Sequence, residues 1–452
     1  MKKFLLGTTA VALGMVTLAS PVMAVAQEKF GANRRDTTPS LTFSGEGNFH
    51  MMFFKQKQRD IDPAVGALQA PGKGQGTHFE FADTRFNIAV DGKTQGYGEM
   101  DYGMLIGLNG DKNETQTIDE ARVHLKGEWG TMTAGNTRGI EYTMSVGPLQ
   151  DVMGGTGGTD GNYTHVVNRT TGVVVKAQPL GRSLDSTKIN YYTPRIYGFQ
   201  AGFSFTPNSR HFGERRLFTL TNTHDGANAI PFDKNHIAAG LNFKHKFNCG
   251  IDLAASAIGL WAGSTQQNRG RLAPIGNNFL APQVVGASGT ANRQKTKAYL
   301  LGFVLGYGNF EGGFEFIDNM KSQELIGLSD NDAGRIYNFG LAYNIGPDKI
   351  SASYSHTTRR LGKNAAVPAS VNLGRAKANV FSLAAERKLA PGLVFFAEGT
   401  YFKYDTNNQM NNANYAGARE WWAVSSSGSA SEPNFVDNNR GHVGVLGMRV
   451  KF

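Results

Sequence analysis

The sequence predicts an all-β chain, a sixteen-stranded antiparallel transmembrane β-barrel with short turns at one end and long loops at the other. Three observations predict it. Apolar and polar residues alternate with period two in sixteen segments of about the length that crosses a bilayer at a tilt. Short and long connections between those segments alternate strictly. At the end of the chain, Leu446, Met448, Val450 and Phe452 share one parity, and Gly447, Arg449 and Lys451 share the other. One side suits lipid and the other a wet lumen.

The predicted strands are 40–55, 79–91, 95–108, 114–127, 130–137, 186–193, 198–206, 234–246, 249–262, 294–307, 309–319, 334–345, 348–358, 375–388, 392–404 and 441–452. Asp91–Thr94, Glu128–Trp129, Pro194–Tyr197, Phe247–Asn248, Gly308, Gly346–Pro347 and Leu389–Gly392 read as tight turns. Longer polar loops fall at 56–78, 109–113, 138–185, 207–233, 263–293, 320–333, 359–374 and 405–440. An even strand count puts both ends of the barrel on the side of the short turns.

Parity assigns faces strand by strand. In the third strand Met100, Tyr102, Met104, Ile106 and Leu108 oppose Glu99, Asp101, Gly103 and Gly107, with Tyr97 and Leu105 as apolar exceptions. In the fourth, Ala121, Val123 and Leu125 oppose Glu120, Arg122, His124 and Lys126. In the twelfth, Tyr337, Phe339, Leu341 and Tyr343 oppose Asn338 and Gly340. A soluble β-sandwich alternates in the same way, but no Greek-key pattern of connection lengths is present.

Composition narrows the function. Hydrophobic residues are 40% of the chain, with no apolar run long enough for a spanning helix outside the first residues, so a helical membrane protein is excluded. Gly 57, Phe 29 and Tyr 15 beside Trp 4 form a strand-and-turn composition with interfacial aromatics. Residues 1–24 read as a signal peptide: Met-Lys-Lys, an apolar stretch from Phe4 to Leu18, then Ser20-Pro-Val-Met-Ala24. The barrel domain is then 25–452. Removing Lys2 and Lys3 from the formal +10 leaves +8 on the mature chain. The basic residues are dispersed and no nucleic-acid module is present. Cys249 is alone, so no disulfide framework exists.

Catalytic and metal readings find no constellation. His124, His165, His236, His245, His356 and His442 are scattered without ligand spacing. A lipid-facing hydrolase would need Ser beside His, yet Ser353 and Ser355 take the parity opposite to His356. Gly154-Gly-Thr-Gly-Gly158 lacks the strand-to-helix context and the Lys-Ser/Thr of a phosphate cradle, and reads as a bend.

Three runs resemble the Gram-negative general porins of proteobacteria. They are Thr117–Gly135 around a tight turn, Lys188–Phe203 with its Thr-Pro turn and Gly-Phe strand, and the C-terminal strand. The resemblance implies that 138–185 is an inward-folded third loop narrowing a pore. The loop's own Met144, Val146, Leu149, Val152 and Met153 are too apolar for a solvent tip. It implies loop acids facing wall bases: Glu141, Asp151 and Asp160 against Arg85, Arg122, Lys126, Arg138 and Lys188. Where such porins have Arg just after the Gly of the fifth strand, this chain has Asn136, with Arg138 two residues on.

The resemblance further implies an outer-membrane location, a homotrimer, and contact with outer-membrane lipid and lipopolysaccharide. Phe452 would be the assembly signal read by the barrel-insertion machinery. The expected function is a passive, water-filled diffusion channel for small hydrophilic solutes and ions, with no cofactor, metal or chemical step. The competing readings are a substrate-specific channel, and a structural or adhesive surface antigen using loops 263–293 and 405–440 with Trp421-Trp422.

Overall fold

A computed structural model describes residues 37–58, 74–94, 99–110, 118–167, 179, 182–209, 233–264, 294–322, 324, 328–364, 371–372, 375–407 and 438–452. The predicted signal peptide lies outside the described residues. Sixteen antiparallel strands follow one another around a closed sheet: β1 Thr37–Gln58, β2 Gln75–Thr94, β3 Met100–Asn109, β4 Ile118–Gly127, β5 Gly130–Asn136, β6 Thr187–Tyr192, β7 Phe199–Asn208, β8 Asp233–Lys246, β9 Ile251–Ser264, β10 Thr296–Tyr307, β11 Phe310–Asp318, β12 Arg335–Ile345, β13 Asp348–Asn364, β14 Arg375–Ala390, β15 Leu393–Asn407 and β16 Asn438–Lys451. Closure is made by β16 on β1, from Glu46↔Lys451 to Gln58↔Asn439. Closure leaves no unpaired edge, which a lipid-embedded sheet requires. Two short strands, Leu328–Asn331 and Val371–Asn372, pair with the far end of β13 beyond the barrel.

Burial is inverted relative to a soluble sandwich. In β12 Asn338 is 0% exposed while Phe339 and Leu341 are 46% and 68% exposed. The same inversion holds for Ser353 and Ser355 against Tyr354, and for Asn190 against Ile189 and Tyr191. A continuous apolar exterior around a polar interior belongs in hydrocarbon. No helix among the described residues is long and apolar enough to cross a membrane; the crossing is made by strands.

Turn chemistry follows the sequence at most hairpins. Tyr307↔Phe310 and Ile345↔Asp348 close two-residue turns whose first residues, Gly308 and Gly346, both sit at φ +59°. That left-handed backbone is open to glycine at no steric cost. One expectation fails. Asp91–Thr94 is not a turn, because β2 stays paired with β3 down to Thr94↔Met100. Gly92 permits this by passing beneath the Tyr102 ring, which a Cβ there would meet at 2.5 Å.

Candidate pore constriction

The connection between β5 and β6 enters the barrel. Its described part carries two single-turn helices, Ile140–Thr143 and Pro148–Asp151, then 3-10 turns at Gly158–Asp160 and Asn162–His165. Pro148 opens the second helix, where a missing N–H costs nothing. The apolar residues singled out in the sequence explain its position. Met144, Val146, Leu149, Val152 and Met153 are each 9% exposed or less. Met144 and Ile140 pack on Ala238, Ile258, Leu260 and Ala298, while Leu149 and Met153 pack on Ala384.

Successive strands supply a polar contact to the loop backbone, in chain order. Ile140 N–H donates to Ser204 Oγ of β7 at 2.8 Å, and Asn242 of β8 donates to Met144 O at 2.8 Å. Val146 N–H donates to Ser256 Oγ of β9 at 2.9 Å. On β10, β11 and β12 the wall carries glycine instead. A Cβ at Gly302 would stand 1.9 Å from Val146 O, and Pro148 lies over Gly313 and Gly340. Gly154 N–H then donates to Ser351 Oγ of β13 at 3.0 Å, Gly155 N–H to Glu386 of β14 at 3.0 Å, and Thr156 N–H to Glu398 of β15 at 2.7 Å. Arg449 of β16 donates to Gly155 O. The glycine bend 154–158 is therefore no phosphate cradle: a wall hydroxyl and two wall carboxylates occupy the amides of Gly154, Gly155 and Thr156.

The loop's far part reaches β1 and β2. Glu80 Oε2 accepts from His165 Nδ1 at 2.8 Å, and Asn162 Nδ2 donates to Asp83 Oδ2 at 3.1 Å. Gln56 of β1 donates to Val166 O at 3.2 Å. The described loop thus runs along the inner wall from β7 round to β2, and its described residues leave the β3–β4 side of the lumen bare except at the stem, where Thr137 Oγ1 donates to Glu120 at 2.7 Å.

Two of the predicted constriction charges are corrected by this geometry. Lys188, 2% exposed, points inward but not into water. Its ammonium donates to the carbonyls of Thr137, Leu184 and Ser186, tying both stems of the loop together. Glu141, 3% exposed, is turned into the wall, where its Oε1 accepts from Ser183 N–H at 3.1 Å and Ser183 Oγ at 2.8 Å. Burial pushes this carboxyl up, but His236, Lys188 and the Ser183 bonds outweigh it and hold it below the ordinary carboxylate range. Lys188 was expected in water because parity gives the side of the sheet, not what already fills that side; Glu141 was expected there because the resemblance implies loop acids facing the pore.

The other predicted residues are exposed or half-buried. Asp151 is exposed, and its Oδ2 accepts from Gly147 N–H at 3.0 Å. Asp160 is half-buried. Arg138 stacks on Tyr142 at 4.2 Å and pairs with Asp185 at 3.5 Å. Across the bare wall, Arg85 pairs with Asp119 and, at 3.7 Å, with Glu120, whose other oxygen lies 2.7 Å from Arg122 Nε. Lys126 is exposed at the short-turn end, opposite Asp101 in the register. The structure brings Arg85 and Arg122 together around Glu120 and leaves Lys126 apart.

Sequence reasoning missed Asp119 and Glu120 as partners of the wall bases. It also missed Arg182, whose guanidinium lies in the field of Asp160, Glu141 and Arg138. Glu120 was legible, since it shares the lumen parity of Arg122 two residues on.

A family model described as Gram-negative porin matches residues 7–407. The chain belongs to the Gram-negative porin family. Its place is the outer membrane. An uncharacterized protein of Rickettsia conorii is 30% identical over 241 residues, 48% of this chain and 50% of that protein. One from Rickettsia typhi is 30% identical over 243 residues, again 48% and 50%. The chain spans about half the length of the curated relatives it matches. Among solved structures, OmpT of Vibrio cholerae is 10% identical with TM-score 0.49, over 94% of this chain and 99% of that one. An anion-selective porin from Comamonas acidovorans is 13% identical with TM-score 0.48, over 92% and 100%. At such identities, residue roles rest on this chain's own geometry.

Proposed function

We propose that the protein is a passive, water-filled diffusion channel for small hydrophilic solutes and ions. One observation supports this reading: a loop is fixed inside a closed barrel against one wall, while the opposite wall carries paired, partly exposed charged groups. Arg85, Asp119, Glu120 and Arg122 form that wall, with Asp151, Asp160 and Arg138 on the loop side. Between them a transverse field favours dipolar solutes over apolar ones, strengthened by the low-dielectric wall. No step in such transport breaks a bond, and no cofactor or metal takes part. Purified protein in a planar bilayer should give ohmic conductance steps. Protein that inserts without steps sinks the channel and favours a structural surface role.

The assembly is proposed to be a homotrimer, tested by native electrophoresis and cross-linking in detergent; a monomer in both refutes it. Phe452 is proposed as the signal for the insertion machinery. Its backbone exchanges hydrogen bonds with Gly45 at 3.0 and 3.1 Å, and its ring occupies the space a Cβ at Gly45 would fill. Phe452→Ala should slow insertion in cells more than refolding in detergent. Equal slowing of both would mean that the ring only packs.

A further inference from the structure

We infer that Glu80, ringed by His50, His78 and His165, makes the ion preference of the pore depend on pH. The inference deepens the channel reading and rests on it. The cluster joins three elements: His50 comes from β1, His78 and Glu80 from β2, and His165 from the far end of the loop. Glu80 Oε1 lies 3.0 Å from His50 Nδ1, and its Oε2 lies 2.8 Å from His165 Nδ1 and 3.6 Å from His78 Nε2. Phe79 and Phe81, which alternate with His78 and Glu80, are exposed on the outward face, so the cluster belongs to the lumen side.

Hydrogen-bond chemistry fixes where protons go. An ionised carboxylate only accepts, so Nδ1 of His50 and of His165 carries the hydrogen. Each of these rings keeps its lone pair on Nε2, the nitrogen that does not meet Glu80. His50 is buried with its ring edge-on to Phe396, whereas His78 and His165 are exposed. The exposed pair is open to protons from the lumen, and imidazole changes charge between about pH 5 and pH 8.

The neighbouring charges have other partners. Arg449 of β16 pairs with Glu46 of β1 at 3.5 Å, Glu398 of β15 accepts from Thr156, and Arg85, further along β2, pairs with Asp119. Asp160 of the loop is half-buried, and the Tyr404 hydroxyl donates to that of Tyr163 at 3.2 Å. Asp83, which accepts from Asn162 Nδ2 at 3.1 Å, sets a second carboxylate beside Glu80. With neutral imidazoles these two carboxylates leave the cluster anionic, and one proton each on His78 and His165 cancels them. The loop stays docked meanwhile. An imidazolium bonds a carboxylate more strongly than a neutral ring does. Tyr163 is packed on Phe402 and Tyr404, and Gln56 holds Val166 O. Mild acid therefore changes the charge of the wall and not its shape, which separates this effect from loss of the Glu141 carboxylate in stronger acid.

Reversal potential in a planar bilayer under a dilute salt gradient tests this. From about pH 8 to about pH 5 the permeability ratio should move toward anions on the order of fivefold, the factor that a unit charge at about 4 Å in water exerts on local ion concentration. His78→Gln combined with His165→Gln, both at exposed positions, should lose most of that movement. A double variant that follows the native protein over this range overturns the inference. A second measurement needs no conduction. Nitrogen-15 resonances of the histidine rings in detergent, assigned by their loss in the double variant, should show a neutral, Nδ1-protonated His165 at the upper pH. Both His165 and His78 should be doubly protonated at the lower one. Rings that stay neutral there refute the switch and leave the channel standing. Rings that titrate in protein giving no conductance steps refute the channel, and the ion preference falls with it.

Discussion

The two sides of the lumen are built from different residues. From β7 to β13 the inward positions under the loop are small: Ser204, Ser256, Gly302, Gly313, Gly340, Ser351 and Ser353. From β2 to β4 they are long and charged, with Arg85, Asp119, Glu120 and Arg122. A backbone can lie close to a sheet only where side chains are short, and its buried amides then need acceptors. The hydroxyls and carboxylates of the covered side provide those acceptors. The bare side keeps its charges for water. The loop therefore lies where the wall is thin, and the field arises where it is not.

If that contrast is right, breaking the stem of the loop should have the largest effect. Lys188→Met removes a buried cation, strands three carbonyls and takes away one of the charges that stabilise the Glu141 carboxylate. Loss of one member of a buried charged cluster costs about 3–5 kcal/mol. The thermal midpoint in detergent should fall, and open-channel noise should rise as the stems separate. Lys126→Met, on the bare side, should do neither. Next comes Gly302→Val, whose side chain meets Val146 O. Overpacking of this kind costs about 1–3 kcal/mol. Displacing the loop toward the bare wall should lower conductance, whereas Gly399→Val, on the outward face with nothing within 4 Å of its Cβ, should leave conductance alone.

Much of this was legible beforehand. All sixteen strands follow from alternation because one parity must meet lipid and the other water, as Phe339 and Asn338 show. The inward loop was legible from Met144 to Met153, apolar residues that no solvent tip would carry. Ser353 and Ser355 of β13 were legible only as lying off the lipid face; that they and Ser351 hold the loop is seen in the structure. What parity could not give is occupancy. Lys188 and Arg122 look alike in a strand pattern. One is buried because the stem of the loop returns over it, and the other stays partly exposed where the described loop does not cover it. Long-range contacts such as Thr156 with Glu398 leave no local trace in sequence.

Acid should reach the covered side through Glu141. Glu141 is held below the ordinary value of 4.5 in the folded state. Its stabilisation is therefore complete above that ordinary value and is lost as pH falls through the lowered folded one. Conductance noise in native protein should rise as the pH is taken below the ordinary carboxylate range. Glu141→Gln, already lacking the charge, should be noisy at pH 7 and change less on acidification. A variant that tracks the native protein over the whole range would separate the noise from this carboxyl.

The smallest expected effect is on the bare side. Arg122 is 28% exposed, so its pairing with Glu120 is worth only about 0–1 kcal/mol of stability, and Arg122→Gln should barely move the thermal midpoint. Selectivity is the sensitive readout. The substitution leaves Glu120 and Asp119 against Arg85 alone, so the bare wall gains one net negative charge beside the constriction. A unit charge at 4 Å in water is worth about 1 kcal/mol, about fivefold in local ion concentration. Reversal potential under a salt gradient should therefore shift toward cations, and the shift should shrink as bulk salt shortens the screening length. Glu120→Gln should move it the other way. Equal reversal potentials in both variants would mean that the permeating ions do not pass this wall, and the division of the lumen into a covered and a conducting side would fail with it.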